Sequence, residues 1–271
     1  MARRLTQPLD ATLAAWARPD NAALAPWLAP YRAAARCIAA SHVAGQPLAR
    51  TLDHALSHWP LRDALCLRAG RLRFVPQHEL PTGEAYEAFI ARSACVPTRD
   101  NPHDLCNALV WLTFPAVKRR LNELQSAQIT AAGIGPTRGA LRDALTLFDE
   151  SAAWWPAPQV LADALRRRDW HGLFITHRAA WQQTRPTLFG HALIEKLLHP
   201  RKPITAHVWL LPESSDAQTS LLDMLTPALL AQKTRLPLPV LGVPGWWAAN
   251  EEPGFYDDAG VFRPRAPIIA A

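Results

Sequence analysis

The stretch that decides the reading runs from Pro97 to Asn122, PTRDNPHDLCNALVWLTFPAVKRRLN, and resumes at Arg138 as RGALRDALTLFDE, ending at Glu150. Asn101-Pro102 has the form of a helix start. An Asn side chain accepts an N–H bond at the cap, and Pro fits the first helical position, where no donor is needed. Asp104 then falls at the third helical position, where a carboxylate meets the positive end of the helix dipole. Leu105, Leu109 and Leu112 recur at helical spacing. Asp100, His103, Asp104, Asn107 and Trp111 stand three or four apart and line a different face. Imidazole, carboxylate and amide on one stripe are what a metal or general-base site requires, because their atoms can converge on one point. Capping, first-turn and loop-tethering roles use the same residue types.

Working outward, Pro115 interrupts this helix, and a second one over Ala116–Thr130 carries Lys118, Arg119 and Asn122. Ala144–Asp149 (ALTLFD) reads as a strand, with Trp154-Trp155 as its partner and Glu150–Ala153 as the turn. Asp149 and Glu150 then lie at a strand end, where adjacent carboxylates either hold a hard cation or form a solvated turn. Upstream, Ala11–Trp16, Ala33–Ala40 and Leu48–His58 read as helices separated by prolines. RLRFV (Arg71–Val75) alternates like a strand, and a helix over Gly83–Arg92, capped by Thr82, puts Tyr86, Phe89 and Ile90 on its apolar side. Downstream, Gln159–Arg168 is helical, Ala206–Leu211 is a strand, and Ser220–Gln232 is a helix broken near Pro227. The helix Gly190–Leu198 presents His191 and Glu195 four residues apart on one face. From Leu236 onward, prolines 237, 239, 244, 253, 264 and 267 alternate with Trp246, Trp247, Phe255, Tyr256 and Phe262. This tail reads as an extended arm pinned by aromatics.

These elements predict an α+β fold, predominantly helical, with a small β-hairpin or short antiparallel sheet. The chain has 271 residues and 49% hydrophobic content, enough for a sizeable core. With neither an internal repeat nor a low-complexity linker, it reads as a single globular domain over 1–271. Its parts are an N-terminal helical region of about 1–95, a motif-bearing core of about 96–235 and the arm of about 236–271. No apolar run reaches the roughly 18 residues needed to span a bilayer, and MARRLTQPLDATLAAW lacks a continuous apolar segment after its arginines. A cytoplasmic protein is expected. Cys37, Cys66, Cys95 and Cys106 form no C-x-x-C pair, so buried thiols are expected. The net charge of +6 comes almost entirely from scattered arginines, not from a basic stripe with interleaved aromatics. Nucleic acid is therefore a disfavoured partner, and a membrane is excluded.

The segments quoted above, together with LFGHALIEKLLHP (188–200), LPVLGVPGWW (238–247) and EEPGFYDDAGVFRPR (251–265), resemble the bacterial family called domain of unknown function 3025. The resemblance runs from about Pro97 to Pro264. It implies a self-contained bacterial domain, and it brings no established activity with it.

Three separated acid-bearing segments carry the functional expectation: Asp100/His103/Asp104, Asp149/Glu150 and His191/Glu195. If they converge, a divalent metal binds a water and lowers its pKa. In that metal-assisted hydrolase, His103, Asp104 and Glu150 are catalytic, and Asp100, Asp149, His191 and Glu195 hold the metal. Arg99, Lys118, Arg138 and Lys196 would bind an anionic ligand. The alternative is a non-enzymatic binding or scaffold module for protein, nucleic acid or an anionic metabolite. His54 and His58, at i and i+4, lack the Glu of H-E-x-x-H. GIGPTRG lacks the ending of a phosphate loop, and there is neither a G-x-S-x-G elbow nor a G-x-G-x-x-G after a strand.

Overall fold

The computed structural model describes residues 9–18, 25–132, 139–212, 216–232 and 235–264. The chain divides into two compact units, Met1–Asp149 and Glu150–Ala271. It is mostly helical, with small sheets.

The first unit begins with α1 (Leu9–Trp16), α2 (Arg32–Ser41) and α3 (Leu48–Ser57), each set off by the prolines and turns around it. Helix α3 buries Leu48, Thr51, Leu52, Ala55 and Leu56, the spacing of one helical face. A short hairpin, β1 (Cys66–Leu67) with β2 (Gly70–Arg71), turns at Arg68-Ala69 and enters β2 at Gly70, whose φ is +134°. Strand β3 (Arg73–Pro76) pairs in parallel with β4 (Cys95–Thr98), in register from Arg73 opposite Cys95 to Pro76 opposite Thr98. A parallel pair requires a crossover, and α4 (Tyr86–Ser93) supplies it. Ala94 ends α4 in the left-handed region at φ +54°. Thr82 does not cap α4, which starts after Ala85 with no side-chain cap.

Next come α5 (Pro102–Thr113), α6 (Pro115–Ala132) and α7 (Ala140–Ser151). Asn101 caps α5 as its residue type predicts, accepting from Asp104 N at 2.8 Å. Every residue of α5 from Asp104 to Leu112 is buried, polar ones included, so this helix is the core element of its unit. Pro115 opens α6 after a break at Phe114. The strand expected over Ala144–Asp149 is instead the second half of α7. Its buried residues, Ala144, Leu145, Phe148 and Asp149, follow helical spacing. A short apolar run does not separate strand from helix, and here the segment from Ala140 onward extends it to helical length. No hairpin joins it to Trp154-Trp155.

In the second unit, β5 (Ala152–Trp155) follows α7 directly and is buried along its whole length. Helix α8 (Gln159–Arg167), β6 (Thr187–Leu188), α9 (His191–Leu197) and β7 (Thr205–Leu210) follow. Helices α10 (Ala217–Met224) and α11 (Pro227–Ala231) then lead to β8 (Leu236–Pro239). The four-stranded sheet has the order β6-β5-β7-β8, with β5 and β7 parallel and the outer pairs antiparallel. The start of the expected arm is thus a sheet strand, and its prolines are tolerated because β8 is an edge. Beyond it, Tyr256 and Phe262 pack against Phe174, with the Tyr256 ring centroid 5.1 Å from that of Phe174, and Phe255 packs against Tyr256 and Phe262. Tyr256 donates to the Gly242 carbonyl at 2.9 Å. Among the described residues, no helix is long and apolar enough to cross a membrane.

Candidate functional site

Helices α4, α5, α6 and α7 of the first unit enclose a set of polar side chains. Lys118 on α6 donates to Asp149 on α7 at 2.7 Å, and both are buried. The ammonium also lies over the Trp111 ring, 5.2 Å from its centroid. Asn122, one helical turn along α6, donates to Glu87 on α4 at 2.6 Å and to the Glu87 carbonyl at 2.9 Å. Gln125, with its amide nitrogen turned toward the same carboxylate, donates to both Glu87 oxygens at 3.0 and 3.3 Å. On the α5 side, Asn107 donates to Tyr86 Oη at 3.1 Å. The Asn107 Oδ1 atom is buried with no hydrogen-bond partner.

Two carboxylates here share one ammonium. Glu87 as a residue is half-buried, but its carboxyl end is enclosed. Burial pushes its pKa above the ordinary range, Lys118 opposes that, Asp149 adds to it, and the Asn122 bond opposes it again. Tyr86 is held well above its ordinary value, first by burial and then by the neighbouring charge of Glu87, so its phenol keeps its proton. The cluster is therefore a fixed arrangement of donors around one enclosed carboxyl and one ion pair, formed where the low dielectric strengthens each interaction.

In the second unit, His191 opens α9 and Glu150 lies near the C-terminal end of α7. His191 Nε2 and Glu150 Oε1 are 4.0 Å apart. His191 is only 6% exposed, whereas Glu150 keeps a solvent-facing side. Gly190 sets this approach. A Cβ there would collide with Ser151 N and the Glu150 carbonyl, so only glycine lets the start of α9 come against the end of α7. Gly190 N donates to the Ala152 carbonyl at 2.9 Å and fixes the contact. An imidazole and a carboxylate at this separation are of the types that ligate zinc-like ions.

The chain matches the family described as Protein of unknown function (DUF3025) over residues 72–266, well over half its length. It belongs to the DUF3025 family. No curated protein and no solved structure gives a match.

In this DUF3025 member, the expected site residues fall into three groups. Lys118 and Asp149 share the buried cluster, where Lys118 is committed to an ion pair and does not present itself to an outside anion. Glu150 and His191 form the pair on the second unit. The others are held locally. Asp100 accepts from Leu48 N at 2.7 Å and so caps α3 from 52 residues away. Asp104 accepts from Arg99 N at 2.6 Å and from Arg99 Nη2 at 2.9 Å. That contact engages Arg99 as well. His103 is half-buried at the second position of α5. Glu195 is half-buried on α9 and Lys196 is exposed. Arg138 lies outside the described residues.

Tyr86 and Glu87 were missed by sequence reasoning, which took this helix for its apolar side alone. Glu87 stands three residues before Ile90, a buried position, and that spacing was the available signal.

Proposed function

We propose that the protein is a metal-assisted hydrolase whose divalent ion is held on the second unit by His191 and Glu150. The observation that carries this reading is the 4.0 Å approach of His191 Nε2 to Glu150 Oε1, with the imidazole buried and the carboxylate open to solvent. Such an ion would supply a bound water of lowered pKa. Glu195, four residues beyond His191, stays in the proposal as a further ligand. Asp100 and Asp104 serve instead the backbone and the guanidinium they already bind. The large apolar side chains most exposed among the described residues are Val43, Leu61, Val160 and Ile175, spread over different segments. A macromolecular docking face therefore has less support.

The test is elemental analysis of full-length protein purified without chelators and equilibrated with zinc or manganese. Wild type retains a stoichiometric ion. Glu150→Gln and His191→Ala each lose it while keeping the wild-type circular dichroism spectrum. Wild type emerging free of metal would end this reading.

A further inference from the structure

We infer that the groove along α6 in the first unit binds a small organic phosphomonoester through Arg68 and Arg119. The groove has a volume of about 570 Å³ and is lined by the β1–β2 turn, the end of α4 and one face of α6. That volume lies within the roughly 300–1,000 Å³ of small-molecule sites. Leu67, Leu124 and neighbouring alanines form apolar walls suited to an organic body.

Charge selects the ligand class. The groove gathers three guanidiniums against one carboxylate, Glu123, leaving a surplus of two positive charges. A phosphomonoester carries about −1.5 to −2 near neutral pH, which matches that surplus. Glu123 pairs with Arg120 at 3.9 Å. Arg68 and Arg119 have no anionic partner among the described residues. Guanidinium forks are the side chains best shaped for phosphate oxygens. The floor is preorganised, since Asn122 there is 2% exposed and is fixed by its bonds to Glu87. A groove of about 670 Å³ beside His54 makes the contrast: there Asp53 and Glu79 accompany Arg50 and Arg73, leaving no surplus.

This inference does not rest on the metal reading, and its test is run in EDTA to keep the two apart. Phenyl phosphate is titrated into the full-length protein and followed by calorimetry and ligand-detected NMR. Saturable binding is expected, with phenol not binding and inorganic phosphate binding more weakly. Arg68→Ala and Arg119→Ala should each weaken phenyl phosphate by about tenfold, the worth of one good charge-assisted contact. Glu123→Gln should tighten it severalfold, a gain that misfolding cannot imitate. The inference is overturned if phenyl phosphate shows no binding at millimolar concentration. It is also overturned if the Arg68→Ala/Arg119→Ala double variant binds like wild type, or if inorganic phosphate binds equally well.

Discussion

Lys118 Nζ sits 2.7 Å from Asp149 Oδ1 in the core of the first unit, and Glu87 shares that ammonium's field without touching it. Removing the cation strands two carboxyls. Lys118→Met should cost about 3–5 kcal/mol, whereas Lys118→Met combined with Asp149→Leu should regain much of that loss. Urea unfolding measures both. A Lys118→Met protein within about 0.5 kcal/mol of wild type, the ordinary scale of surface changes, would contradict the assigned burial.

Glu87 gives the stability a pH dependence of fixed sign. Its carboxyl is raised in the folded state, chiefly by burial, relative to the unfolded chain. Its contribution is therefore fully present below the unfolded carboxylate pKa and is lost as pH rises through the higher folded value. Glu87→Gln keeps the shape without the titration, so its unfolding midpoint should fall less across that window than the wild-type midpoint. Parallel curves for the two proteins would show that Glu87 ionises normally.

Asp100 separates structural from metal-binding carboxylates. Its Oδ1 accepts from the first amide of α3. Asp100→Ala should lower stability by about 0.5–2 kcal/mol, as loss of a cap does, and leave metal retention unchanged. A loss of metal with unchanged stability would return Asp100 to the ligand set.

Gly190 should be as sensitive as the residues it positions. Gly190→Ala drives a Cβ into the Glu150–Ser151 backbone, which should cost about 1–3 kcal/mol or more. By pushing α9 away from α7 it should also abolish metal retention, as His191→Ala does. A stable Gly190→Ala protein with wild-type metal content would show that the contact tolerates movement.

The start of α5 was legible because its signal is local. Asn101-Pro102 combines a capping side chain with a proline at the first position, and the cap forms as residue type predicts. The hairpin expected at 144–155 failed because ALTLFD alone fits either period, and only its continuity with Ala140–Asp143 makes it helical. The buried cluster was half legible. Asn107, Lys118, Asn122 and Asp149 stood out as polar residues in apolar company, but the partner that Asn122 holds arrives on α4, through a parallel β3–β4 crossover that no local pattern announces. Asp100 carried the opposite lesson. Its ligand-like chemistry was plain, yet a backbone amide 52 residues away had claimed it.

Strand β8 has a role beyond closing its sheet. Val240 N bonds the Ile204 carbonyl, so the even-numbered amides face β7 and the odd-numbered positions, Pro237 and Pro239, face outward. That rim offers no N–H to an incoming strand. At the other rim, β6 is only two residues long. A sheet terminated this way resists polymerisation with copies of itself, leaving the aromatic-rich segment after Pro239 free to pack inward without becoming a seed for fibrils.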